Sequence, residues 1–313
     1  MVGVSTSIRP LVVSVPTEEL ARDIQPLAEG VEVVVWGMDE PAPRGAFDLV
    51  VPPYMKMSSV LERLQGVQVG LVQSQSIGYE GVEDVLPAGL RFANAASVHE
   101  TSTAELAVAL ALAAQRRLDA FAVDTSRGVW APVFAESLAD RRVMLLGYGG
   151  VGKAIAARLA GFEVELLAVA SRAREEGGMP VHAVGELPER LPSTDIVIVS
   201  LPGGESTRHI VDDAFLAALP DGALVVNVGR GPLIDTDALV DHVRRGRIRA
   251  ALDVTDPEPL PEGHPLWGLP GVLVSPHVGG ASSAMRPRVA RLIRRQIEHL
   301  ARGEEPENVV IGD

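Results

Sequence analysis

The 313-residue chain contains no cysteine. That absence excludes disulfides, thiolate nucleophiles, Cys-ligated zinc and iron–sulfur clusters. Lysine is almost missing as well: Lys56 and Lys153 stand alone, so the other 26 of the 28 basic residues are arginine, a bias that fits genome composition better than function. No run of about 18 uncharged apolar residues occurs, which argues against a membrane-spanning helix. The N-terminal MVGVSTSIRPLVVSVPTEEL carries one arginine and no small-residue cleavage site, so its apolar run reads as a first strand rather than a signal peptide. Basic residues are outnumbered by 41 acidic ones, for a formal net charge of −13. That balance disfavours broad binding to nucleic acid or anionic membranes. A cytoplasmic location fits these absences.

What is present points to a globular enzyme-sized chain. Apolar residues make up 47% and charged residues 22%, and the length suits two domains, each able to bury a core. LVVSV (11–15), VEVVVW (31–36), FDLVV (47–51) and VQVGLVQ (67–73) read as buried strands. Between them, TEELARDIQPLAEG and MSSVLERLQG read as helices ending at a glycine. A long Ala/Leu-rich helix follows from about Glu100 to Leu118. The less regular DAFAVDTSRGVWAPVFAESLADRR after it reads either as a dimer-contact segment or as a plain surface connection. A second strand–helix series then begins at RVMLLGYGGVGKAIAARLAGF and runs to GVLVSPHVGG. The last helix, MRPRVARLIRRQIEHLARGEE, places Arg288, Arg291 and Arg295 near one face, read here as solvated. Strands alternating with helices predict parallel sheets covered on both faces.

The densest signal is VMLLGYGGVG, a buried strand entering Gly147-x-Gly149-x-x-Gly152 and then a helix. In this pattern the first glycine makes a tight turn and the second lets backbone approach a pyrophosphate. The third lets helix and strand pack closely, and Gly150, Val151 and Gly152 open a helix whose free N–H groups face the phosphates. A ribose-binding acid is expected at the end of the next strand if NAD is preferred. VELLAVASRAR ends instead in Ser171, Arg172 and Arg174. A hydroxyl and guanidinium groups suit a 2′-phosphate, so the pattern favours NADP(H) over NAD(H).

Polar residues then mark the ends of successive later strands, where open parallel sheets bind ligands. VVNVGRG supplies Arg230, AALDVTDPEPL supplies Asp253 and Glu258, and VSPHVGG supplies His277. Each alone has an ordinary explanation: a surface cation, a solvated loop acid, a satisfied buried histidine. Together, beyond a dinucleotide turn, they match hydride-transfer chemistry. A histidine exchanges the hydroxyl proton near neutral pH, a carboxylate sustains the imidazolium, and an arginine binds the substrate carboxylate and polarises the C2 carbonyl.

These stretches, with STAELAVAL, SLPGGESTRHIV and NVGRGPLIDTDAL, resemble the D-isomer-specific 2-hydroxyacid dehydrogenase family over nearly the whole chain and in family order. The resemblance implies Arg230 as substrate binder, Glu258 paired with His277 as acid/base, and Asp253 beside the nicotinamide carboxamide. It extends the cofactor contacts to Leu201, Pro202, Thr207, Val228 and Gly279, with Arg230 and His277 bordering the same site. It also implies a substrate loop after the fourth strand, Ser74-Gln75-Ser76-Ile77-Gly78-Tyr79, in which N–H groups near Ile77 and Gly78 receive a carboxylate. Tyr54 in VPPYM stands either as a substrate contact or as a packed aromatic. Two departures from the family pattern stand out: Glu80 where aspartate is usual, and the missing acid near Ser171.

His99, His209 and His264 read as structural, and His182, His242 and His299 as surface or helix positions. No residue spacing suggests a metal site or a hydrolase elbow. The expected architecture is α/β, with two doubly wound parallel-sheet domains. A Rossmann-type cofactor domain over 98–281 is inserted into a flavodoxin-like substrate domain formed by 1–97 and 282–313. The expected activity is hydride transfer between NAD(P)H and a 2-keto acid, with a homodimer built on the cofactor domains. Alternatives are a nucleotide-sensing corepressor-like protein and a formate or phosphonate dehydrogenase; the formate type has an amide where this chain has Glu258.

Overall fold

A computed structural model describes residues 9–312. The chain divides into two compact units, one formed by Met1–His99 with Ser283–Asp313, the other by Glu100–Ser282.

The first unit holds β1 (Leu11–Val15), β2 (Val31–Val35), β3 (Ala46–Val50), β4 (Gln68–Gln73), β5 (Phe92–Ala93) and a C-terminal strand, Val309–Ile311. Their order across the sheet is C-terminal strand, β5, β4, β3, β1, β2. All pairs are parallel except the C-terminal strand on β5. Successive strand residues point to opposite faces, which splits the apolar residues into two layers. Val13, Val15, Leu49 and Leu71 pack under Leu292, Ile293 and Ile297 of the C-terminal helix Met285–Arg302. Val12, Val50 and Val72 pack on the other face with Trp36, Phe47 and Phe92. The first helix is shorter than the sequence pattern suggests: Thr17 caps it, accepting from the Leu20 N–H at 3.2 Å, and it ends at Asp23. Pro26 is the reason, because the residue before a proline is disfavoured in helical backbone. Nor is the basic face of the C-terminal helix simply solvated. Arg295 binds Glu307 at 3.0 Å and Arg288 donates to the Val98 carbonyl at 3.4 Å.

The second unit holds β6 (Arg142–Leu146), β7 (Glu165–Ala170), β8 (Arg174–Glu176), β9 (Met179–Ala183), β10 (Ile196–Val199), β11 (Ala223–Asn227), β12 (Ile248–Leu252) and β13 (Val272–Val274). Their order is β13-β12-β11-β10-β6-β7-β9-β8, all parallel but for the β8–β9 hairpin. The chain winds one way from β6 to β7 and the other way from β10 to β13. Ligands bind at such a switch point, beyond the strand ends. Val143, Leu145, Ile196, Ile198 and Val226 face the helices Glu100–Arg116 and Gly150–Leu159, meeting Ala104, Ala107, Leu110 and Ile155. Met144, Leu146, Val197 and Val225 face Phe215, Leu216, Leu239 and Leu266. The long helix read to Leu118 breaks at Arg117, whose φ of 56° is left-handed, and a second helix runs Leu118–Ser126. Among the described residues no helix is long and apolar enough to cross a membrane.

Candidate active site

The glycine turn follows β6, and each glycine has a distinct steric reason. Gly147 sits at φ 110°, and a Cβ there would lie 2.8 Å from the Ser200 carbonyl carbon. A Cβ on Gly152 would lie 2.1 Å from the Gly147 oxygen, so helix and strand meet backbone to backbone. Gly150 is crowded by the Glu100 side chain, 3.0 Å from its would-be Cβ. Gly149 differs: nothing lies within 4 Å of the position its Cβ would take. Open space before Gly149, at the N-terminus of the helix Gly150–Leu159, with no acidic residue in its first turn, is a cradle that fits a dinucleotide pyrophosphate.

Loops after the neighbouring strands pack against this turn. The Ser200 hydroxyl donates to the Gly147 carbonyl at 3.1 Å, and Thr207 Oγ1 donates to the Pro202 carbonyl at 2.9 Å. A Cβ on Gly229 would meet the Leu201 oxygen at 2.8 Å, bringing Leu201 and the β11 end together, and the Val228 N–H donates to Val199 at 3.0 Å. Beyond β7, Ser171 and Arg172 are exposed. Arg174 is committed elsewhere: its Nε donates to Glu176 at 2.9 Å and an NH2 to the Tyr148 carbonyl at 3.1 Å. Lys153 binds the other Glu176 oxygen at 2.8 Å. Sequence reading missed Glu176 because it missed the hairpin. Its signal was Gly177-Gly178, both at positive φ (62° and 79°), a pair suited to a two-residue hairpin turn.

Arg230 sits between two glycines that nothing larger can replace. A Cβ on Gly231 would lie 1.9 Å from the Thr255 oxygen. Asn227, buried at the end of β11, shapes this loop by donating to the Arg230 carbonyl at 2.9 Å and accepting from the Gly229 N–H at 3.0 Å. The guanidinium donates to the Gly229 carbonyl at 2.7 Å. Its charge acts on both Glu258 and His277.

Asp253 is buried, and its carboxylate receives the Ser275 hydroxyl at 2.6 Å, the Val278 N–H at 2.9 Å and the Gly279 N–H at 2.8 Å. It therefore holds the loop that presents His277. That residue has φ 52°, a left-handed conformation unusual for a side chain of its size. Its own N–H donates to the Asp253 carbonyl at 2.8 Å, which helps fix the strained backbone. His277 Nδ1 lies 2.5 Å from Glu258 Oε1. The hydrogen bond that His277 makes to the Glu258 carboxylate raises the His277 pKa above its ordinary value, against burial, which lowers it. Burial pushes the Glu258 carboxyl upward, but the bond to His277, the imidazolium charge, the Thr255 N–H and Arg230 prevail, and its pKa falls.

Tyr54, Ser76, Ile77 and Gly78 belong to the first unit, at the ends of β3 and β4. The Ser76 N–H donates to Ser74 Oγ at 2.8 Å, and Asn94 holds the Ile77 carbonyl at 3.0 Å. Among the described residues, neither the Ile77 nor the Gly78 N–H donates to a protein acceptor. Tyr54 stacks on the buried ring of His99 (centroids 5.9 Å apart, 18° between planes), and His99 Nε2 donates to the Gln75 carbonyl at 2.6 Å. The remaining histidines have other partners: His264 accepts the Leu266 N–H, His242 is buried against Asp213, His182 pairs with Glu186, His299 meets the Glu305 carbonyl, and the His209 N–H donates to Pro232.

The family described as D-isomer specific 2-hydroxyacid dehydrogenase, NAD binding domain, matches residues 108–279. This chain belongs to that family. Glyoxylate reductase of Thermofilum pendens is 31% identical over 255 residues, spanning 77% of this chain and 74% of its own length. Human glyoxylate reductase/hydroxypyruvate reductase is 29% identical over 87% of this chain and 89% of its own. The crystal structure of a D-isomer specific 2-hydroxyacid dehydrogenase from Xanthobacter autotrophicus Py2, in complex with NADPH and MES, superposes with a TM-score of 0.80. It is 27% identical and covers 97% of this chain and 98% of that one. Hydride transfer between a nicotinamide dinucleotide and a 2-keto or 2-hydroxy acid is the activity of this dehydrogenase.

Proposed function

We propose that the chain reduces a small 2-keto acid to the D-2-hydroxy acid, with NADPH as preferred donor and the Glu258–His277 pair as acid/base. The 2.5 Å approach of Glu258 Oε1 to His277 Nδ1 carries this reading. An ionised carboxylate only accepts, so Nδ1 carries the proton of that bond and Nε2 is left to hold the proton that passes to the substrate oxygen. Arg230 takes the substrate carboxylate and polarises the adjacent carbonyl as alkoxide character develops. The Ile77 and Gly78 N–H groups offer a further carboxylate or carbonyl contact, with Ser76 and Tyr54 beside them. When bound, the nicotinamide supplies the hydride that reaches C2. Gly147, Gly149, Gly150, Val151 and Gly152 would hold the pyrophosphate, with Leu201, Pro202, Thr207, Val228, Asp253 and Gly279 along the rest of the dinucleotide. In the reverse direction His277 Nε2 receives the hydroxyl proton.

NADPH is favoured because Ser171 and Arg172 stand where an NAD-type site carries an acid, and the Xanthobacter relative was crystallised with NADPH. The substrate class follows from relatives that reduce glyoxylate or hydroxypyruvate. A homodimer is supported by the segment after Arg117, where Trp130 and Phe134 are almost fully exposed beside Leu118, Val123, Val129 and Val133. Apolar exposure on that scale marks an association surface. Loss of absorbance by NADPH and NADH against a panel of 2-keto acids tests the activity. Turnover with glyoxylate or hydroxypyruvate and NADPH is expected; no turnover, or a clear preference for NADH, would overturn the corresponding part. Sedimentation velocity tests the dimer, and a monomer at micromolar concentration would refute it.

A further inference from the structure

We propose that Glu176 is a specificity-determining residue of the dinucleotide site: an internal anion that occupies Arg174 and Lys153, two cations a 2′-phosphate would use, and thereby limits discrimination between NADPH and NADH. The inference rests on the reading of the β7 end given above. The β8–β9 hairpin places Arg174 opposite Val181, which in turn pairs with Ala168 of β7. Arg174 also reaches the glycine turn directly, through its bond to the Tyr148 carbonyl at 3.1 Å. Lys153 lies in the first turn of the helix that starts at Gly150. Both cations therefore border the region where Ser171 and Arg172 follow β7, and Glu176 joins them, one oxygen to Lys153 at 2.8 Å and the other to Arg174 at 2.8 Å. Hydrogen bonds from Lys153 and Arg174 hold the Glu176 carboxyl below its ordinary range, so it is anionic at neutral pH.

The cluster has three cations and one anion, and among the described residues the Arg172 side chain has no partner. A 2′-phosphate presents acceptor oxygens of the kind Glu176 now supplies, and the Arg174 fork accommodates either group. All these side chains are solvent-accessible, and exposed ion pairs are weak, so exchange of carboxylate for phosphate is easy. NADH has a neutral 2′-hydroxyl in place of that phosphate and leaves the clamp intact.

The test is equilibrium binding of NADPH and NADH, followed by fluorescence or calorimetry, to wild type and Glu176→Gln at low and high ionic strength. Relief from the internal competitor is expected to tighten NADPH roughly two- to fivefold at low salt, with NADH unchanged. That gain should shrink as salt screens the cluster. Unchanged NADPH binding, or an equal shift for both cofactors, would overturn the proposal. So would selective weakening of NADH, which would make Glu176 a ligand of the ribose hydroxyls. Glu176→Ala, checked by thermal melting, provides a second variant with the same expected direction. The wild-type affinity ratio tests the NADPH reading by itself, whereas the change in that ratio on substitution tests Glu176.

Discussion

His277 Nδ1 and Glu258 Oε1 stand 2.5 Å apart although the two residues are nineteen positions apart in the chain. The pairing moves the two pKa values in opposite directions, His277 up and Glu258 down. It thereby widens the pH range in which an imidazolium faces a carboxylate. In the proposed mechanism keto acid reduction needs the protonated ring, and hydroxy acid oxidation needs the neutral one.

Replacing His277 with Ala removes the only group here proposed to carry the transferred proton. General acid–base catalysis contributes about 10²–10⁴-fold, so kcat should fall by that order. Cofactor affinity, measured by titration, should stay within about twofold, because general acid–base chemistry enters only in the transition state. Near-normal turnover would remove His277 from the mechanism.

The pH profile supplies a second check. For reduction, kcat/KM should hold at low and neutral pH and fall as pH rises through the His277 pKa, which lies above the ordinary value of about 6.5. Oxidation should show the opposite limb, rising through the same pKa. In Glu258→Gln the raising influence is gone and burial, which lowers the His277 pKa, prevails. Both limbs should move to lower pH. An unshifted profile would show that Glu258 does not act through His277.

The strand–glycine–helix unit was legible because the glycine spacing, the preceding apolar run and the following amphipathic pattern are all local. The two sheets were legible for the same reason, as alternating runs of apolar β-formers and helix patterns. Long-range polar anchoring was not. Nothing around Asp253 indicates that its carboxylate takes three hydrogen bonds from residues 275–279, since that depends on β12 and β13 lying side by side. Asn227 is similar: NVGRG advertises its arginine, whereas the asparagine that shapes the loop looks like a turn residue. The left-handed Arg117 that divides the long helix leaves no mark in a sequence rich in helix formers. Glu176 was obscured for a further reason: its hairpin carries charged residues rather than a buried strand pattern, and only the Gly177-Gly178 pair marks the turn.

Asp253→Asn tests the anchoring directly. The substitution keeps the size but turns one acceptor oxygen into a donor facing N–H or O–H groups. Leaving a buried donor unsatisfied costs about 1–3 kcal/mol, and the melting temperature should drop accordingly. Because the same bonds set the left-handed turn at His277, kcat should fall as well, although Asp253 transfers no proton. A stable but inactive variant would instead favour direct contact with the nicotinamide carboxamide.

Gly149→Ala and Gly152→Ala separate ligand space from packing within one turn. A methyl at 149 meets no protein atom within 4 Å, and φ there is −87°, so thermal stability should be unchanged or slightly higher. The same methyl would project into the space read as the pyrophosphate cradle, and NADPH and NADH affinity should both fall by at least tenfold, consistent with a lost close backbone approach. At 152 the methyl would lie 2.1 Å from the Gly147 oxygen, a backbone atom that cannot move without opening the turn. Overpacking of this kind costs about 1–3 kcal/mol, so Gly152→Ala should lose stability before any cofactor is added. Equal melting losses in both variants would mean that the space before Gly149 is structural. Unchanged cofactor binding in a stable Gly149→Ala would mean that the pyrophosphate lies elsewhere.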